Sequence, residues 1–149
     1  LLETIKKEQG KLQVEHGRYV PVAVKIAPDM DSDAVAQVAQ SLLAQGIDGV
    51  IATNTTIGRE GVEDYKTSVE TGGLSGLPVR YKSTRVIRAL YAELGEKLPI
   101  IGVGGITDGA SAAEKIKAGA KLVQVYSGFI YRGPALIRES DEAIAALKV

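Results

Sequence analysis

The sequence predicts an α/β fold in which a parallel sheet is built from alternating strands and helices. Three observations point there. Four short, β-branched apolar runs recur along the chain, helix-period segments separate them, and most of the 17 glycines fall near the ends of the apolar runs. Near-continuous apolar runs of this length suit strands buried on both faces, as in a parallel sheet. Alternation of such strands with helices calls for right-handed crossovers between parallel neighbours.

Taken in order, the opening segment carries Leu1, Ile5 and Leu12 and predicts a helix that Gly10 weakens. Residues 21–27 form the first strand, stopped by Pro28-Asp29. Asp31-Ser32-Asp33 supplies cap residues for a helix whose Val35, Val38, Leu42 and Leu43 share one face, with Gly46 at its end. Residues 49–54 are the second strand. A long connection follows, from Thr55 to about Pro78, rich in Gly, Ser and charge, and loops of that length are usually functional or mobile. Val86, Ile87, Leu90, Tyr91 and Leu94 mark the next helix, closed by Gly95. Residues 99–105 are the third strand. Thr107-Asp108 introduces a short helix through Ala113, Ile116 and Lys117 that stops at Gly119. Residues 122–128 are the fourth strand, and Pro134 opens a last helix carrying Ile137, Ile144 and Leu147.

Composition bounds what such a fold can do. With 149 residues, 45% hydrophobic and 24% charged, the chain fits one globular domain, and no composition shift or linker divides it. Eighteen basic side chains balance eighteen acidic ones, so the broad basic surface of a nucleic-acid binder is missing. The absence of cysteine excludes disulfides, thiolate metal sites and thiol nucleophiles, and a single histidine excludes a multi-histidine metal cluster. No apolar run reaches the roughly 18 to 20 residues of a membrane-spanning helix. The start, Leu1-Leu2-Glu3-Thr4, has neither an initiator Met nor a signal-peptide pattern and reads as a cut end.

Each strand ends in something chemically useful. Lys25 sits inside an apolar run, where an ammonium needs an anionic or electron-rich partner, or else snorkels out at the strand end. Thr53-Asn54-Thr55-Thr56 clusters four hydrogen-bonding side chains. That suits recognition of a planar, amide-rich ligand, and it also suits a self-capped turn. Thr71-Gly72-Gly73-Leu74-Ser75-Gly76 permits close backbone approach to a ligand, or plain flexibility. Gly102-Val103-Gly104-Gly105 is no dinucleotide fingerprint, but it offers bare N–H groups ahead of a helix, a common way to hold phosphate. Tyr126-Ser127-Gly128 ends the fourth strand in the same style, and a phosphate gripped after two consecutive strands is a recurring device of (β/α)8 barrels. His16 lies ahead of the first strand, away from this face, and reads as a surface residue. Arg59, Glu60, Glu63, Asp64 and Lys66 read as a solvated lid.

Five segments then stand out together. They are Val24-Lys25-Ile26-Ala27-Pro28-Asp29, Asp48-Gly49-Val50-Ile51-Ala52-Thr53-Asn54-Thr55-Thr56 and Thr71-Gly72-Gly73-Leu74-Ser75-Gly76, followed by Pro99-Ile100-Ile101-Gly102-Val103-Gly104-Gly105-Ile106 and Leu122-Val123-Gln124-Val125-Tyr126-Ser127-Gly128. In order and spacing they resemble the dihydroorotate dehydrogenase family, most of all its quinone-linked (class 2) bacterial members. The resemblance implies a (β/α)8 TIM barrel that oxidises dihydroorotate to orotate in pyrimidine (UMP) synthesis, with FMN as hydride acceptor and quinone as the onward electron acceptor. By position it implies that Lys25 contacts the flavin ring, that Thr53, Gly76 and Gly105 contact FMN, and that Tyr126-Ser127 completes its phosphate site. Asn54 and Thr55 would bind the substrate's pyrimidine ring and carboxylate.

A complete barrel needs roughly 250 residues and eight strands. Residues 1–149 would therefore be the C-terminal half, its last four strands with their helices, the N-terminal half being absent. The serine base of class 2 enzymes and the helices that meet membrane and quinone lie earlier in the family's chain. Ser75 and Ser127 do not match that base, so no residue here is nominated as catalytic and none as a metal ligand. The whole enzyme is expected to be peripheral on the cytoplasmic side of the bacterial inner membrane, and this piece soluble. The isolated chain is expected to be inactive, to lose FMN, and to self-associate through two open strand edges and an apolar inner face. The alternatives are another FMN-dependent TIM-barrel oxidoreductase, acting on a dihydropyrimidine or a 2-hydroxy acid, and a non-catalytic self-associating chain. The Thr53–Thr56 cluster favours the pyrimidine branch.

Overall fold

The computed structural model describes residues 1–147. Helix α1 (Leu2–His16) precedes strand β1 (Ala23–Ile26), followed by α2 (Ser32–Ala44), β2 (Gly49–Ala52), α3 (Arg80–Leu94), β3 (Ile100–Val103), α4 (Gly109–Lys117), β4 (Leu122–Gln124), α5 (Ser127–Arg132) and α6 (Ala135–Ala145). The strands pair in parallel in the order β1-β2-β3-β4, which is also their order in sequence. Every crossover therefore steps to the next position in one direction, as in a barrel, without the reversal of a doubly wound sheet.

The helices form as their sequence signals require. Asp31 caps α2 by accepting from the Ala34 N–H at 2.8 Å. Gly46, at φ 62°, ends it, with the Gly46 and Ile47 N–H groups donating back to the carbonyls of Leu43 and Leu42. Asp108 and Ser111 make a reciprocal capping box at the start of α4. Gly10 does not interrupt α1, which runs through it and is anchored just ahead of it. The buried Gln9 donates to the Val20 carbonyl at 2.7 Å, while Asp48 accepts from the Val22 N–H at 2.8 Å and the Tyr19 hydroxyl at 2.5 Å. Helix α5 is an addition to the sequence-based reading. Six residues are too few to show a period, and its Phe129, Ile130 and Tyr131 are all exposed.

The core lies on one face of the sheet. Ile26, Val50, Ala52 and Ile100 pack there against Val35, Ala39 and Leu42 of α2 and against Val86, Ile87, Leu90 and Leu94 of α3. Burial on both faces holds only for the two central strands, whose residues are buried or half-buried, whereas β1 and β4 carry exposed positions. The other row of the register, Lys25, Ile51, Ile101 and Leu122, has no covering layer among the described residues, and Leu122 is 63% exposed. Within the solvated stretch, Arg59 alone needs correction. Arg59 is half-buried and donates to the carbonyls of Ile57, Gly58, Ser68, Glu70 and Gly72, so one guanidinium gathers the long connection. Thr56 and Leu74 exchange backbone hydrogen bonds across its base, and two short 3-10 turns, Lys66–Val69 and Leu77–Val79, complete it. The remaining charged members, Glu60, Glu63, Asp64 and Lys66, are exposed.

Candidate functional site at the carboxyl ends of the strands

The carboxyl ends of all four strands open on a single cleft. Its lining includes Lys25 from β1, Thr53, Asn54 and Thr55 after β2, Gly76 from the long connection, Gly105 after β3, and Tyr126 and Ser127 after β4. All eight residues singled out from the sequence are thereby brought together. The cleft encloses about 90 Å³, against roughly 300–1,000 Å³ for a pocket that surrounds its ligand. It is one wall of a site.

Thr53 is buried where β2 ends, at a cis Ala52–Thr53 peptide, with its N–H on the Val103 carbonyl at 2.9 Å and its hydroxyl on the Asn54 carbonyl at 3.0 Å. The Asn54 N–H donates to the Ile26 carbonyl at 2.7 Å, and its side-chain oxygen accepts from the Thr55 N–H at 2.9 Å. That orients the side chain, and its NH2 has no hydrogen-bond partner among the described residues. Thr55 packs so closely on the long connection that a Cβ at Gly73 would overlap the Thr55 hydroxyl. This contact, not flexibility, explains a glycine at that position.

Behind Thr55, Asp29 joins three elements. It accepts from the Thr56 hydroxyl at 2.5 Å, the Ile57 N–H at 2.9 Å and the Lys82 ammonium at 3.0 Å. Burial works to raise the Asp29 pKa, but these donors outweigh it and hold the carboxyl below its usual range.

On the opposite side, Gly104 and Gly105 adopt φ 121° and 68°. A Cβ on Gly105 would collide with the backbone of Arg80. Only glycine fits both the dihedral and the contact. The N–H groups of Gly76, Gly104 and Gly105 have no backbone partner among the described residues, and the three glycines line a cleft that lacks carboxylate side chains. Ser75 and Ser127 link the long connection to the end of β4 through their hydroxyls at 2.8 Å.

Of the two readings left open for Lys25, the structure shows the one that snorkels out at the strand end. Lys25 is exposed and makes no ion pair among the described residues, because the face it projects from is uncovered. The low-dielectric surroundings of the other reading are not formed by this chain alone. His16 is exposed at the end of α1, away from the cleft, as expected. Ser75, Val79, Val103, Ile106, Gln124 and Gly128 also line the cleft without having been nominated. Gln124 had a readable signal: like Lys25, it is a polar residue inside an apolar strand run, and the register puts it opposite Val103.

An arc of parallel strands whose carboxyl ends carry a glycine-lined, cation-bearing cleft defines the ligand face of a (β/α)8 barrel. The family model for dihydroorotate dehydrogenase matches residues 2–147, and the chain belongs to the dihydroorotate dehydrogenase family. It is 70% identical over 146 residues to a dihydroorotate dehydrogenase (quinone) of Cellvibrio japonicus, covering 98% of this chain and 43% of that protein. A counterpart from Marinobacter nauticus is 67% identical, with 97% and 42% covered. Among solved structures, a DHODH from Eimeria tenella in complex with ferulenol superposes with a TM-score of 0.79 at 39% identity, over 86% of this chain and 34% of that one. The ligand-free form from the same organism gives 0.76 at 40% identity, over 82% and 34%. The chain thus spans less than half the length of the relatives it matches. Among the described residues no helix is long and apolar enough to cross a membrane.

Proposed function

We propose that residues 1–149 form the C-terminal half of a dihydroorotate dehydrogenase (quinone) barrel and supply one wall of its FMN and substrate site. The whole protein would oxidise dihydroorotate to orotate and pass the electrons to quinone, from a peripheral position on the cytoplasmic side of the bacterial inner membrane. The observation that carries this reading is the convergence on one cleft of seven residues from four strand ends with Gly76 of the long connection.

The chemistry of the lining fits FMN. Unpaired N–H groups at Gly76, Gly104 and Gly105, together with the Ser127 hydroxyl, suit a phosphate. The Lys25 ammonium suits the electron-rich flavin ring, while Thr53 and Tyr126 complete the FMN contacts. Held by these residues, FMN would supply the hydride acceptor. Asn54 and Thr55 then hold the pyrimidine ring and carboxylate of the substrate, because an oriented amide both donates to and accepts from a planar amide ring. Neither Ser75 nor Ser127 is assigned as the base, since neither stands at the position the resemblance gives to the class 2 serine base.

A titration tests the site. The purified chain should emerge without flavin yet bind added FMN more tightly than riboflavin, since only FMN carries the phosphate. Equal affinities would sink the phosphate assignment. Dye reduction by dihydroorotate with added FMN should stay at background, and turnover near that of an intact flavoenzyme would contradict the half-barrel reading. The uncovered row of Lys25, Ile51, Ile101 and Leu122 supports a further part of the proposal, that the isolated chain self-associates.

A further inference from the structure

Behind the glycine pair lies a polar cluster that takes no part in lining the cleft. Lys115 of α4 is fully buried, and its Nζ donates to the Arg80 carbonyl at 2.9 Å and to the Thr84 hydroxyl at 2.7 Å. Its neighbour Glu114 accepts from the Arg80 guanidinium at 2.8 and 2.5 Å and from the Thr84 hydroxyl at 2.7 Å. Arg80, the first residue of α3, is therefore gripped at both its side chain and its carbonyl. The same residue is the floor beneath Gly105, whose missing Cβ would overlap the N, Cα and Cβ of Arg80.

A buried ammonium is a costly way to join two helices, because a methionine would fill the same space without desolvating a charge. Burial pushes the Lys115 pKa down to about 8, against the pull of Glu114, which registers that cost. Both bonds of the ammonium go to the N-terminal part of α3, one of them to Arg80, on which Gly105 rests. We infer that Lys115, with Glu114, is a positioning residue for the Gly104–Gly105 backbone, acting through Arg80 to keep those N–H groups in place for the phosphate of a ligand such as FMN. The inference rests on the reading of the cleft as an FMN site.

The test compares the wild-type chain with Lys115→Met and with the isosteric Thr84→Val. Thermal unfolding, backbone 15N order parameters, and affinities for FMN and for riboflavin are measured on each. Lys115→Met should unfold at or above the wild-type temperature at neutral pH. Its order parameters at Gly104 and Gly105 should nevertheless fall from a rigid value near 0.85 to below about 0.6. FMN should bind at least fivefold more weakly while riboflavin binding is unchanged. Unaltered glycine order parameters with unaltered FMN affinity would overturn the inference. A wild-type chain that does not prefer FMN to riboflavin would defeat the phosphate reading instead, and the order parameters would then decide the positioning role alone. If Lys115→Met does not fold, Thr84→Val, which keeps the lysine and the core volume, carries the same comparison.

Discussion

Lys115 shows how a single buried group leaves its mark on stability. Its pKa falls from an ordinary 10.5 to about 8 because burial disfavours the charged form. Between those values the unfolded chain binds a proton that the folded chain does not, so this residue's contribution to stability rises with pH across that window. Below about pH 8 both states are protonated and the buried charge carries its full cost, on the order of 3 kcal/mol. Denaturant titrations from pH 7 to 10 should show wild type gaining on Lys115→Met; parallel curves would count against the assignment. Gly105→Ala should act in the opposite way at neutral pH. With φ at 68° and the Arg80 backbone in contact, it should cost about 1–3 kcal/mol and abolish any preference for FMN over riboflavin, as unfolding and fluorescence titrations would show. The glycines were legible as bare backbone. Their partner Arg80, and Lys115 beneath it, were not, because no spacing along the chain announces a contact between residues 35 positions apart.

At the scale of elements, most of the pattern was readable because it is local. Caps such as Asp31 and Asp108, and stop signals such as Gly46, act within a few residues of themselves. The long connection was not readable in this way. Its order comes from Arg59, whose five acceptors are scattered from Ile57 to Gly72. Arg59→Ala should therefore expose this segment to limited proteolysis while the sheet persists, with a loss of about 1–3 kcal/mol. Arg59→Lys should not rescue it, since an ammonium lacks the planar fork of five donors. Resistance of Arg59→Ala to cleavage within residues 59–74 would refute that role. Because Thr55 packs on Gly73, the same substitution should also weaken substrate-side binding more than it weakens binding of the flavin phosphate.

At the scale of the molecule, the decisive feature is a sheet that, among the described residues, has helices packed on one face only. The row of Lys25, Ile51, Ile101 and Leu122 presents apolar surface and two strand edges that proteins ordinarily pair or cover. Light scattering on the isolated chain should report a dimer or larger species, and Leu122→Asp should shift it towards monomer with an unchanged far-UV circular dichroism spectrum. A monomeric wild type would refute self-association. By itself the sequence determined the α/β alternation, the positions of the four strands, the family, and which residues stand at the strand ends, since all of these are written in local periodicity, capping and motif order. Only the tertiary structure decided that seven of those residues share one cleft with Gly76, that Lys25 stands exposed, and that Arg59 and Lys115 organise what surrounds them. The physical reason is that strand register and helix packing bring together groups far apart in the chain, and burial follows from which layers are present to cover a face.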